Sequence, residues 1–212
     1  DGYVYVGDWV EGRIEGEGVA TYPNGSVYRG GFRDGAPHGE GRIDYAEGGF
    51  YEGGWVDGVI EGEGVAEYAN GVRYEGGFKA GEHHGEGTMT YADGYEYTGE
   101  WREGLQHGLG VARYADGGVY TGAFVDGVRE GEGKLVLPDG FEYEGGWADG
   151  EIEGEGVARY PNGDVYEGAF LDGQRHGYGV MTYASGAEYA GYWVQGQRGS
   201  REEAEAYETE TR

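Results

Sequence analysis

Short runs of alternating apolar and polar residues recur along this chain at a fixed interval of 23 residues. Each repeat opens on Tyr-x-Gly-x-Trp/Phe, as in YRGGF at residues 28–32. A polar, Gly-bounded connection follows, such as RDGAPHG, and then a second run, Gly-x-Gly-x-x-x-Tyr, as at residues 39–45. Alternation with a period of two predicts half-buried strands. The second run ends in Pro23-Asn24-Gly25, Pro138-Asp139-Gly140 or a relative of these, and Asn-Gly or Asp-Gly is a tight-turn signal because Gly takes the left-handed conformation at no cost. Each repeat is therefore predicted to be a β-hairpin, and successive hairpins to continue as an antiparallel meander.

Repeats begin at Tyr5, Tyr28, Tyr51, Tyr74, Tyr97, Tyr120, Tyr143 and Tyr166, with a partial ninth at Tyr189. Glycine holds positions 3, 8, 12, 14 and 21 of all eight complete repeats, which accounts for 40 of the 50 glycines. Position 5 alternates between Trp and Phe, while position 16 alternates in the opposite sense between Ala and Ile, Met or Leu. Volume compensation of this kind is what close packing demands. It predicts that positions 5 and 16 are cross-strand neighbours on one face, with the Gly of position 3 opposite the Tyr of position 18.

The pattern Tyr-x-Gly-x-Trp/Phe-x-x-Gly-x-x-x-Gly-x-Gly at a period of 23 resembles the membrane occupation and recognition nexus (MORN) repeat, over nearly the whole chain. The resemblance implies an all-β fold, an elongated single-layer twisted antiparallel sheet of β-hairpin repeats with an aromatic-lined groove, closed in some members by a short C-terminal helix. It also implies scaffolding, dimerisation and capture of partner segments. Residues 1–199 form the expected array. Residues 200–212 read as an acidic tail or a short capping helix, since Ser200 with Glu203 matches a capping box. The pattern fails after Gly196, so no second strand is expected in the ninth repeat.

Composition and charge narrow the function classes. With 15% aromatic residues the chain is not of disordered type despite its glycine content. A net charge of −26 repels phosphate backbones, which argues against nucleic acid, and disfavours anionic membrane surfaces. In the repeats the basic residues usual between the glycines of the family are largely replaced by Glu15, Glu17, Glu61, Glu63, Glu153 and Glu155. The absence of cysteine excludes disulfides and thiolate metal sites.

The acidic pairs recur in near-identical surroundings, whereas paired-carboxylate catalysis needs two environments that separate the pKa values. Glu17, Glu40, Glu63, Glu86, Glu132 and Glu155 are instead expected to form a solvated ladder on one face. His38, His84, His107 and His176 share position 11, at hairpin spacings too wide to share a zinc ion. No catalytic residue, metal site or cofactor is expected. The aromatic face is the candidate site. Tyr28, Phe32, Tyr45, Tyr51, Trp55, Tyr68, Tyr74, Phe78, Tyr91, Tyr97, Trp101, Tyr114, Tyr120, Phe124, Tyr143 and Trp147 are the expected lining of a partner-binding groove.

The expected role is a non-enzymatic scaffold that binds a protein or peptide, basic by electrostatic steering, or that self-associates as a homo-oligomer through open sheet edges. The alternatives are a phospholipid-surface module and an acidic Ca²⁺-responsive rod.

Overall fold

The computed structural model describes residues 2–211; Asp1 and Arg212, at the outer ends of the expected array and tail, lie outside the described residues. The chain divides into two compact halves, Asp1–Gln106 and His107–Arg212. In the first half, nine strands run from Val4–Val10 to Glu96–Arg102, each paired antiparallel with the next. The strands from Leu105–Arg113 to Gln197–Gly199 make the same meander in the second half, and one helix, Arg201–Thr211, follows. The fold is all-β with a single short C-terminal helix, as the repeat predicts.

The third repeat shows how local chemistry builds the hairpin. Strands Gly49–Val56 and Val59–Tyr68 meet at Val56 and Val59, which leaves a two-residue loop, Asp57-Gly58. Both loop residues have positive φ, 48° and 84°, the signature of a turn whose twist matches its strands. Position 7 repeats this left-handed conformation in Asp34, Asp126, Asp149 and Asp172. The tight hairpin turn thus lies inside the segment read as a loose connection, and most of that segment is strand. The Pro-Asn-Gly segment makes a wider loop, closed by bonds from Gly25 N–H to the Tyr22 carbonyl (2.8 Å) and from Tyr22 N–H to the Ser26 carbonyl (2.9 Å).

Because the two-residue turn sets the register, the predicted pairing is corrected. Trp55 faces Ile60, so position 5 pairs with position 10; Ala66 faces Tyr51, so position 16 pairs with position 1. Gly53 likewise faces Gly64, not a position-18 tyrosine. Positions 5 and 16 do share a face, but they are not opposed. Between Gly53 and Trp55 the register shifts, so that Glu61, Gly62 and Glu63 bulge opposite Gly54 alone, with Gly62 at φ 88°.

The ring lying over the glycines belongs to the repeat's first tyrosine. A Cβ on Gly64 would fall 2.5 Å from Cε2 and Oη of Tyr51, so only glycine lets the ring lie flat there. Tyr51 Oη donates to the Gly54 carbonyl at 3.1 Å, and Tyr28, Tyr74 and Tyr143 do the same to Gly31, Gly77 and Gly146.

Each of these tyrosines also meets the position-5 aromatic of its own repeat and of the next, edge to face. Tyr28 lies 5.1 Å from Phe32 and 5.2 Å from Trp55, and in the second half Tyr143 lies 5.6 Å from Trp147 and 5.1 Å from Phe170. The core is this zigzag of rings on one sheet face, filled in by Ala and Met at position 16. Trp55, Trp101 and Trp147 add an indole N–H bond to the position-14 glycine carbonyl of the preceding repeat, at 3.1–3.2 Å, which phenylalanine cannot make.

At the C-terminal end the ninth repeat does form a second strand, of three residues, Gln197–Gly199, which corrects the expectation that none appears. The capping box then closes the helix start. Ser200 N–H donates to Glu203 Oε2 (2.8 Å), and Glu203 N–H donates to Ser200 Oγ (3.2 Å). An 11-residue helix is marginal alone, and this one docks by burying Ala204, whose carbonyl accepts from His176 Nε2 at 3.2 Å.

Candidate interaction surface

The sixteen aromatic residues expected to line a groove separate into two sets. Tyr28, Phe32, Tyr51, Trp55, Tyr74, Phe78, Tyr97, Trp101, Tyr120, Phe124, Tyr143 and Trp147 are buried in the ring zigzag. Burial pushes the Tyr120 phenol up to about 12, and its counterparts Tyr28, Tyr51, Tyr74, Tyr97 and Tyr143 also rise, so all stay neutral donors. The position-18 side chains are the accessible ones. Tyr45 and Tyr68 are each 41% exposed, and Tyr91 and Tyr114 are half-buried. In the first half Tyr45, Tyr68 and Tyr91 form a strip beside a closed core.

Position 10, which the sequence reading passes over, completes that strip because it lies opposite the position-5 ring. In the first half it is Ile14, Pro37, Ile60, His83 and Gln106; in the second, Arg129, Ile152, Arg175 and Arg198. These residues share no chemical type, so self-comparison does not pick them out. Counting pairs outward from the Asp-Gly turn would have done so.

His83 stacks on Tyr74 with centroids 4.0 Å apart and shares a 2.8 Å hydrogen bond with the Tyr68 hydroxyl through Nε2. Burial lowers its pKa from 6.5 to about 4. Between those values the unfolded chain binds a proton that the folded chain does not, so this residue takes away stability as pH falls through that window. Allowing for its partial exposure, the loss is about 1–2 kcal/mol. Thermal melts at pH 7 and pH 4.5 test this: H83Q, which copies Gln106 of the next repeat, is expected to lose a few degrees less than the wild type on acidification. Equal losses would remove His83 as the cause.

The opposite face is acidic. At position 11, carboxylates and one imidazole accept from the left-handed residue of the next turn: Asp34 N–H to Glu15 (3.2 Å), Ala80 N–H to Glu61 (2.9 Å), Asp172 N–H to Glu153 (3.1 Å) and Asp57 N–H to His38 (3.3 Å). Their role is to hold adjacent hairpins in step. Beside them, glutamates of positions 2 and 13 border shallow troughs. One, of about 660 Å³ in the first half, is lined by Glu40, Glu52, Glu63 and Glu75 with Arg73. The other, of about 540 Å³ in the second half, carries Glu132, Glu144, Glu155 and Glu167 with Lys134 and Arg159. Among the described residues, no three His, Asp or Glu side chains come together as a metal-holding group.

The family model of the MORN repeat matches eight times, at residues 5–27, 28–50, 51–73, 74–94, 97–119, 120–141, 143–165 and 166–188. No curated protein sequence matches the chain. Among solved structures, the wild-type TCP10 domain of Danio rerio CPAP is similar at 15% identity and a TM-score of 0.46, over 85% of this chain and 84% of that one. The SAS-4 TCP domain of Drosophila melanogaster, solved with a Proline Rich Motif of Ana2, is similar at 12% identity and a TM-score of 0.44, over 91% and 90%. Both likenesses are loose and carry no functional weight.

Proposed function

The chain belongs to the MORN-repeat family, and on that premise we propose that it is a non-enzymatic interaction scaffold whose position-18 tyrosines hold an extended segment of a partner protein. The observation that carries this reading is the accessible strip itself. Tyr45 and Tyr68 stand 41% exposed beside a core whose rings from Tyr28 to Trp101 are closed. Tyrosine in such a place offers a large rigid contact area and a polar tip, the composition of binding hot spots.

The carboxylates argue against an enzyme. Those of position 11 are engaged as turn acceptors, and those of position 13 recur in equivalent surroundings with nothing to split acid from base. At long range the charge of −26 favours the approach of cationic segments.

A random dodecapeptide library selected on the purified chain tests the proposal. Selected peptides are expected to bind Y45S/Y68S/Y91S at least tenfold more weakly than wild type, and to bind the trough variant E40Q/E63Q about as well. Undiminished binding to the serine variant, or loss confined to the trough variant, would place the contact elsewhere.

A further inference from the structure

Arginine in this chain usually finds a carboxylate. Arg13 meets Asp34, Arg29 meets Asp44 and Arg33 meets Asp57, each at 2.8 Å. With 41 acidic side chains against 15 basic, that outcome is unsurprising. Three arginines of the second half behave otherwise. The Arg129 guanidinium lies 4.3 Å from the Trp147 ring centroid, Arg175 lies 4.5 Å from that of Trp193, and Arg198 lies 4.1 Å from that of Tyr189. Their hydrogen bonds go to neutral oxygens. Arg129 and Arg175 donate through Nη2 to the carbonyls of Gly150 (2.5 Å) and Gly196 (2.6 Å), and Arg198 donates to the Tyr183 hydroxyl (2.8 Å). None pairs with a carboxylate among the described residues.

All three sit at position 10, on the tyrosine face, where the first half has Ile14, Pro37, Ile60, His83 and Gln106; Arg175 lies 5.6 Å from the ring of Tyr160, and Arg198 bonds Tyr183, both tyrosines of position 18. Each named bond uses one of a guanidinium's five N–H donors, and stacking on a ring holds the planar fork in place without neutralising it. A pre-positioned, uncompensated fork beside apolar rings is the arrangement that binds a carboxylate through two parallel bonds.

We propose that the tyrosine strip of the second half is a receptor for an acidic segment of a partner protein, its carboxylates taken by Arg129, Arg175 and Arg198. This rests on the strip being the binding face, and it assigns the chemistry of one half of it. The overall charge of −26 does not forbid it. At physiological salt a field from the opposite face is screened over about 8 Å, whereas an arginine–carboxylate contact acts at hydrogen-bond range on a partly desolvated group. Long-range steering and local recognition therefore favour different charges.

Fluorescence anisotropy on the whole chain decides it, with three labelled dodecapeptides that share two tyrosines and carry six Glu, six Gln or six Lys. Wild type is expected to bind the Glu peptide at least tenfold tighter than the Gln peptide. R129Q/R175Q/R198Q should reduce that preference to near unity, while R129K/R175K/R198K, which keeps charge without the fork, should retain part of it. Melting each variant checks that the fold survives; should the glutamine variant fail to fold, the lysine variant decides, since a Glu-over-Gln preference as large as that of wild type in it would overturn the proposal. Equal binding of the Glu and Gln peptides by wild type, tighter binding of the Lys peptide, or a preference that persists in the glutamine variant would overturn the proposal. Equal binding that Y160S/Y183S abolishes would leave the strip as the binding face and remove only the charge assignment. Absence of binding by all three peptides would count against both.

Discussion

Gly64→Ala is expected to destabilise the fold by about 3 kcal/mol, a drop in melting temperature on the order of 10 °C. The new Cβ would sit 2.5 Å from the Tyr51 ring and hydroxyl. That ring has no room to yield, since Tyr51 is 1% exposed, is held by its bond to the Gly54 carbonyl, and lies edge-on to Trp55 and Phe78. Gly62→Ala, two residues away, is the control. Its Cβ would meet nothing within 4 Å, so the cost is only the left-handed backbone at φ 88°, about 1 kcal/mol. Thermal melts of both variants separate the two roles of glycine in this repeat. If they lose equal stability, ring-on-backbone packing is not what position 14 provides.

The second large effect is expected at Tyr143. Tyr143→Ala removes a fully buried ring that touches Trp147 and Phe170, at a cost of about 3–5 kcal/mol, and frees Trp147, whose fluorescence should shift to the red. Tyr143→Phe keeps the ring but leaves the Gly146 carbonyl without the hydroxyl that donates to it at 3.0 Å, for about 1–2 kcal/mol. The ratio of the two losses, read from denaturant unfolding followed by circular dichroism, divides packing from hydrogen bonding. A phenylalanine variant as unstable as the alanine variant would make the buried bond, not the ring zigzag, the main support. Since stacked repeats couple mainly to their neighbours, each change should be felt first in the adjoining hairpins.

The functional surface was only half legible in the residues. Position 1 is tyrosine in every repeat and position 18 in seven of the eight complete ones, and nothing in the letters says which of Tyr74 and Tyr68 is buried. Yet one is sealed between Phe78 and Trp101 while the other stands 41% exposed. The glutamates of position 11 read only as members of recurring acidic pairs and proved to be acceptors for the next turn, a role that requires knowing which backbone N–H comes near. The arginines at position 10 carried no pattern at all, because their meaning lies in the ring opposite them.

What the sequence determined by itself is what short-range rules govern. The 23-residue period, the paired strands, the obligatory glycines, the MORN family and the capping box of Ser200 and Glu203 all follow from residues within one repeat of each other. Tertiary structure decided the register, and through it everything that faces something. A two-residue turn at Asp57-Gly58 in place of a longer loop moves each partner along the strand, so Trp55 meets Ile60 and Ala66 meets Tyr51. Alternation says that two residues share a face, but only the closed hydrogen-bond ladder says how far apart on that face they are. Whether a ring is core or surface follows from that distance.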